Sequence, residues 1–189
     1  MFPIELETQR LSIREFEPGD VATVIRYSAE QQGIFFHETH PLTQRDVERW
    51  LNESLRLAQE PERVRHQFAV ALRSSGILIG TARVHIDVPD DHQGSVGYAL
   101  WHEHWGRGLA TEAATAMLDL GFSRLGLHRI EATIEPDNSA SVRVAEKLGM
   151  RLEGRMKERF STPNGWRDSL LYATTEDEWR SHKEAAEPS

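Results

Sequence analysis

The sequence predicts a mixed α/β (α+β) domain built on one sheet. Three observations carry this: the order in which strand-like and helical periodicities follow one another, a length that suits one domain, and a composition that fills a core. The chain has 189 residues, of which 39% are hydrophobic and 28% charged, the balance of a globular chain of one domain. The expected organisation is a single domain over 1–180 and a flexible tail over 181–189.

The first run, RLSIREF (10–16), alternates with Leu11 and Ile13 on one face, as a half-buried strand does. Pro18, Gly19 and Asp20 punctuate it, and Val21, Val24, Ile25 and Ser28 follow at helical spacing. Thr43 and Asp46 form a capping-box start. Behind it, Val47, Trp50, Leu51, Ser54, Leu55 and Ala58 recur on one helical face. The period then changes to strands at 67–73, 77–86 and 95–101, joined by short turns and so expected as an antiparallel meander. Ala110, Ala113, Ala114, Met117, Leu118, Gly121, Phe122 and Leu125 trace the next helix. A strand at 128–134 and a helix at about 138–148, stopped by Gly149, come after it. Two strand-like runs, about 150–160 and 168–174, flank an Asn-Gly turn signal. The predicted order is β-α-α-β-β-β-α-β-α-β-β.

Charge and composition exclude several functions. Lys and Arg total 22 against 30 Asp and Glu, a formal net charge of −8, whereas phosphate-backbone binding needs a basic surface. No nucleic-acid partner is expected. Without cysteine there is no disulfide framework, no thiolate metal site and no acyl-cysteine route. The opening MFPIELETQR lacks the basic and apolar regions of a secretory signal, and no apolar run approaches a membrane span. The expectation is a cytoplasmic protein with no membrane partner. His37 with His40, and His102 with His104, lack completing ligands and read as loop histidines, so no metal is expected.

Chemistry concentrates at HWGRGLATEA (104–113). Gly106 and Gly108 bare the backbone where the chain turns into a helix. The N–H groups of Gly106, Arg107, Gly108, Leu109, Ala110 and Thr111 can then converge on an anion, with the positive end of the helix behind them. The same pattern also suits an ordinary strand-to-helix turn. It lacks the Lys of a Walker loop, and it matches two of the three glycines of a dinucleotide fingerprint. An antiparallel meander precedes it, however, which is the wrong context for a nicotinamide-dependent oxidoreductase. Further on, Asp137, Asn138 and Ser139 are N-cap types, and Ser141 lies on the helix face that should meet the sheet. Its hydroxyl either bonds to its own helix or points into a cleft.

WGRGLATEA (105–113), followed about 25 residues later by EPDNSASVRVAEKLGM (135–150), resembles the GNAT N-acetyltransferases. Within them the chain is similar to the RimJ/RimL-like, ribosomal-protein-alanine branch, as are LETQRLSIR (6–14) and GWRDSLLY (165–172). The resemblance spans about residues 5–175. It implies a GNAT-like acyl-CoA N-acyltransferase fold, splayed open between the strands of 95–101 and 128–134, with acetyl-CoA (CoA) in the opening. It also implies that Trp105, Gly108 and Ala110 stand at the marked positions of a diphosphate loop. Asn138 would then meet the pantetheine arm, and Ser141 would protonate the leaving thiolate. The branch often has an acid where this chain has Ser95.

The implied reaction is direct attack of a primary amine, from a protein N-terminus or a small molecule, on the thioester in a ternary complex. A backbone N–H near Leu100 or Trp101 would stabilise the oxyanion. For the base, Glu131 is a candidate, though a paired structural carboxylate is the better-supported reading of it; His85 and Asp87 are equally ambiguous, and Glu158 is weaker still. Phe35, His37 and Glu38, in the apolar-then-polar loop 33–41, are expected on the acceptor side. A homodimer is compatible with the resemblance. The alternatives are a non-catalytic CoA-binding or regulatory module and, less well fitted, the nicotinamide-dependent oxidoreductase.

Overall fold

The computed structural model describes residues 3–30, 43–162 and 164–186, with side chains described except at 28–30. In chain order the elements are β1 (Glu5–Glu7), β2 (Leu11–Glu15), α1 (Val21–Glu30), α2 (Gln44–Leu57), β3 (Arg65–Leu72), β4 (Leu78–Val88), β5 (Gln93–Leu100), α3 (Leu109–Ser123), β6 (Arg129–Ile134), α4 (Ser139–Lys147), β7 (Arg151–Thr162), β8 (Gly165–Thr175) and α5 (Glu176–Ala186). One eight-stranded sheet runs in the order β1-β2-β3-β4-β5-β6-β8-β7. Every neighbouring pair is antiparallel except β5–β6, which is parallel.

That parallel pair is short. Only Gln93, Gly94 and Ser95 find partners, in Arg129, Ile130 and Glu131. Beyond Ser95, β5 stays with β4 as far as Leu100 opposite Gly80, while β6 continues with β8. The two halves of the sheet therefore diverge, and the splay falls between the two expected strands.

The larger core lies on the face carrying Phe68, Val70, Ala82, Val84 and Val96, under the apolar side of α3 and α4. Gly121 brings α3 close to the sheet: a Cβ there would stand 2.5 Å from Ile130 Cδ1. Ala69, between Phe68 and Val70, points to the opposite face and meets Phe16, Val24, Val47 and Leu51 beneath α1 and α2. The Thr43–Asp46 capping box starts α2 as its sequence predicts, and Gly149, at φ +69°, follows the end of α4.

Two expectations need correcting. The N-terminus adds a short strand, β1, and residues 181–186 belong to α5 rather than to a flexible tail. Trp179 explains the helix. It is buried, its indole donates to Asp119 Oδ1 at 3.0 Å, and Lys183 pairs with the same carboxylate at 2.8 Å. Among the described residues no helix is long and apolar enough to cross a membrane.

Candidate active site

Where β5 and β6 part, a cleft of about 560 Å³ opens, lined by the end of β5, the 104–111 turn, the end of β6 and one side of α4. Strand alternation decides what β5 offers to it. Trp101 donates its N–H to Ile79 O at 2.8 Å, so odd-numbered residues of this strand end bond to β4. The peptide groups of Tyr98 and Leu100 consequently face the opening. The indole of Trp105, on the rim, donates to Leu100 O at 2.6 Å, which leaves the Leu100 N–H as the unclaimed group.

Trp101 does not line the cleft. It is fully buried, stacked on Tyr27 with ring centroids 4.5 Å apart, and its indole donates to Leu78 O. Its N–H is committed to β4, so of the two expected oxyanion donors only Leu100 is placed for that work.

The turn into α3 is built by two left-handed glycines, Gly106 at φ +72° and Gly108 at φ +75°. Gly108 is the N-cap, and its carbonyl takes the first helical bond from Glu112 N–H. No acceptor among the described residues is found for the N–H groups of 106–111. Gly106, Gly108, Leu109, Ala110 and Thr111 all line the cleft. The side chain of Arg107 is exposed and is not among the described groups that line the cleft. A Cβ on Gly108 would face Arg10 Nη2 at 3.5 Å; the glycine is needed for its backbone conformation rather than to keep the anion's place clear.

Across the cleft, Asn138 caps α4, its Oδ1 accepting from Ser141 N–H at 3.0 Å. Ser141 lines the cleft together with the half-buried Tyr98, whose phenol burial pushes upward in pKa while the Ser141 hydroxyl works to lower it. Arg143 and Lys147, one helical turn apart, also line it. The half-buried His104 lines it with a buried Nδ1 that has no hydrogen-bond partner among the described residues.

Glu131, expected either as a base or as a paired structural carboxylate, lies off the cleft. It sits in the closed part of the seam, opposite Ser95, and Arg129 holds its carboxylate at 2.8 Å. It does not line the cleft, so the geometry matches the paired structural carboxylate and not the base. Glu135 is the one carboxylate among the described lining residues, and Arg167 pairs with it at 3.3 Å. Phe35, His37 and Glu38 lie outside the described residues. Sequence reasoning missed Tyr98, Arg143 and Lys147 as lining groups. The i, i+4 spacing of the last two, starting two residues after Ser141, was the available signal.

A splayed seam carrying a bare-backbone helix start matches one known family over most of the chain. The family model described as an acetyltransferase (GNAT) domain matches residues 10–151. The chain belongs to this GNAT family. The uncharacterized N-acetyltransferase YnaD of Bacillus subtilis (strain 168) is 34% identical over 176 residues, covering 93% of this chain and 99% of that protein. A GNAT-family acetyltransferase structure from Bacillus anthracis is 32% identical with a TM-score of 0.79, covering 92% of this chain and 99% of the other. The ribosomal-protein-S5-alanine acetyltransferase of Vibrio fischeri is 26% identical with a TM-score of 0.81, over 94% and 99%. This GNAT protein is therefore an N-acetyltransferase enzyme, from a family that uses acetyl-CoA and acts on amine acceptors.

Proposed function

We propose that this GNAT enzyme binds acetyl-CoA in the β5–β6 cleft and transfers the acetyl group directly to an α-amine, such as a protein N-terminus. One observation carries the reading: the splay opens onto unclaimed N–H groups of 106–111 at the positive end of α3. That cradle fits a diphosphate. Arg143 and Lys147 add cationic charge along the same cleft, and the Tyr98 peptide groups match an amide of a pantetheine arm.

Bound there, acetyl-CoA supplies an activated thioester. The chain's own groups divide the remaining work. The 106–111 turn and Asn138 fix the position of the acyl group. The Leu100 N–H faces the place where negative charge develops on the carbonyl oxygen. Ser141 hands its proton to the departing thiolate sulfur and recovers one through the Tyr98 phenol, which is reprotonated by the water that took up the amine's proton.

The acceptor class follows from what the cleft does not offer. Its one described carboxylate is tied to Arg167, which favours an amine that arrives neutral and gives up its proton to water or to the Nδ1 of His104. With pKa values near 8 and 10.4, an α-amine is about a tenth neutral at pH 7, and a lysine amine about once in 2,500. The likeness to a ribosomal-protein-alanine acetyltransferase supports the same class.

Thermal melting with acetyl-CoA, and separately with NADH, tests the cofactor. Ligand at about 100 times its Kd adds roughly 2.7 kcal/mol, a rise on the order of 5–10 °C for this size. A rise with NADH alone would overturn the reading. Release of free thiol with an alanine-initiated peptide, but not with an internal lysine peptide blocked at its N-terminus, is the expected acceptor result. Binding without turnover on any amine would leave a CoA-binding module.

A further inference from the structure

The LETQR segment at the start of the chain is remote in sequence from every group used above, yet it is built onto the cradle. Thr8 Oγ1 donates to Glu112 Oε1 at 2.5 Å, and the Arg10 N–H donates to the same oxygen at 2.7 Å. Arg10 Nε donates to Glu112 Oε2 at 2.6 Å. The guanidinium then reaches past the carboxylate, and Nη1 donates to Arg107 O at 2.8 Å. Four bonds thus join the β1–β2 corner to the first turn of α3 and to the loop before it, across about a hundred residues of chain.

The bond to Arg107 O has a geometric consequence. In a planar trans peptide, the carbonyl of one residue and the N–H of the next point in opposite directions. Holding Arg107 O outward on Arg10 therefore turns the Gly108 N–H inward. Gly108 lies at φ +75°, where a glycine backbone rotates with little steric resistance, so the direction of this amide needs an external hold.

Charge gives a second argument. Glu112 stands in the first turn of α3, where an unpaired carboxylate would occupy the positive field meant for a ligand anion. Burial works to raise its pKa, but the Thr8 hydroxyl and the Arg10 amide and guanidinium outweigh it and hold the carboxyl below its usual range. It is ionised, and Arg10 is the cation that neutralises it. The side chain of Glu112 is 14% exposed against 45% for Arg10, so the carboxylate is the fixed anchor and the guanidinium bridges from it to the loop.

We propose that Arg10, anchored by Glu112 and Thr8, is a positioning residue for cofactor binding: it orients the Gly108 amide toward the diphosphate and cancels the carboxylate behind it. The proposal rests on the acetyl-CoA reading above. It predicts a loss confined to ligands that contain the diphosphate.

Calorimetric titration of the full chain with CoA, dephospho-CoA and pantetheine tests it. Arg10→Ala should weaken CoA and dephospho-CoA by the same factor, at least tenfold, and change pantetheine by less than twofold. Arg10→Lys keeps the charge but cannot span both Glu112 and Arg107 O, and should lose a similar factor. It also serves if Arg10→Ala does not fold. Equal weakening of all three ligands would make Arg10 a general structural support and overturn the proposal, as would wild-type affinity in either variant. Failure of the wild-type protein to bind CoA would instead sink the acetyl-CoA reading and this proposal with it.

Discussion

Substituting Gly80 by alanine probes the oxyanion donor from behind the cleft wall, at a residue that does not itself line the cleft. Gly80 lies in β4 directly opposite Leu100. An added Cβ would stand 2.8 Å from Leu100 Cα, and would collide with Ala99 O as well. Ordinary contact begins near 3.4 Å, so β5 must retreat by more than half an ångström. Ala99 O and the Leu100 N–H belong to one rigid peptide; pushing the first moves the second by the same vector. A displacement of about 1 Å at a reacting group costs on the order of 100-fold in rate, or about 2.7 kcal/mol of barrier. The strain adds about 1–3 kcal/mol of destabilisation, which lowers Tm by roughly 2–12 °C. The assay is initial-rate thiol release at saturating acetyl-CoA, paired with calorimetric CoA affinity. Expected is a kcat down about 100-fold with Kd within about threefold, because the 106–111 cradle is not displaced. A folded Gly80→Ala enzyme with wild-type kcat would show that the Leu100 amide does not stabilise the oxyanion. Equal losses in kcat and affinity would place the displaced peptide in cofactor binding alone.

Other substitutions test the remaining roles. Ser141→Ala should lower kcat by about 10²-fold or more, as expected of a general acid, with CoA affinity nearly unchanged; matched losses would make the hydroxyl structural. Tyr98→Phe should lower kcat less than Ser141→Ala, since it removes only the supply behind the donor, and a larger loss would make Tyr98 the acid itself. Glu131→Gln should keep turnover within about twofold of wild type, and a 100-fold loss would return Glu131 to the role of base. Burial, with help from Arg63, pushes the imidazole of His66 down to about 4. Its neutral form is thus stabilising in full above pH 6.5, and that stability is lost as pH falls from 6.5 toward 4. Denaturant melts across this range should show a shallower acid decline for His66→Gln, and parallel declines would remove His66 as the cause.

How much of this could be read in the sequence depended on how local the determinant was. The α2 start was legible because Thr43 and Asp46 satisfy each other within one turn. The end of α4 was legible because Gly149 alone tolerates the left-handed turn there. The α5 helix was not, because EDEWRSHKEAA has one large apolar residue and no stripe. Its anchor, Asp119, is 60 residues away. Periodicity could place β5 and β6 but could not show that they part after Ser95; that expectation came from the resemblance. Tyr98 carried no local signal, since its role depends on meeting Ser141 from another element. Glu131 stayed ambiguous because a glutamate in a strand looks the same whether or not Arg129, two residues before it on the same face, has claimed it.

The three-residue seam between β5 and β6 makes the two walls of the cleft a lever. From Ser95, the last joined residue of β5, to Leu100 is five residues, or about 17 Å of strand. A rotation of only about 5° at the seam would swing the far end by about 1.5 Å over that arm. Closure around a ligand and release of product then need almost no motion where the strands are joined. The same arithmetic makes the seam intolerant of bulk: a Cβ on Gly94 would press on His85 O and stand 2.7 Å from Leu127 Cδ1. A side chain wedged at that fulcrum would set the angle of the whole opening from its narrow end.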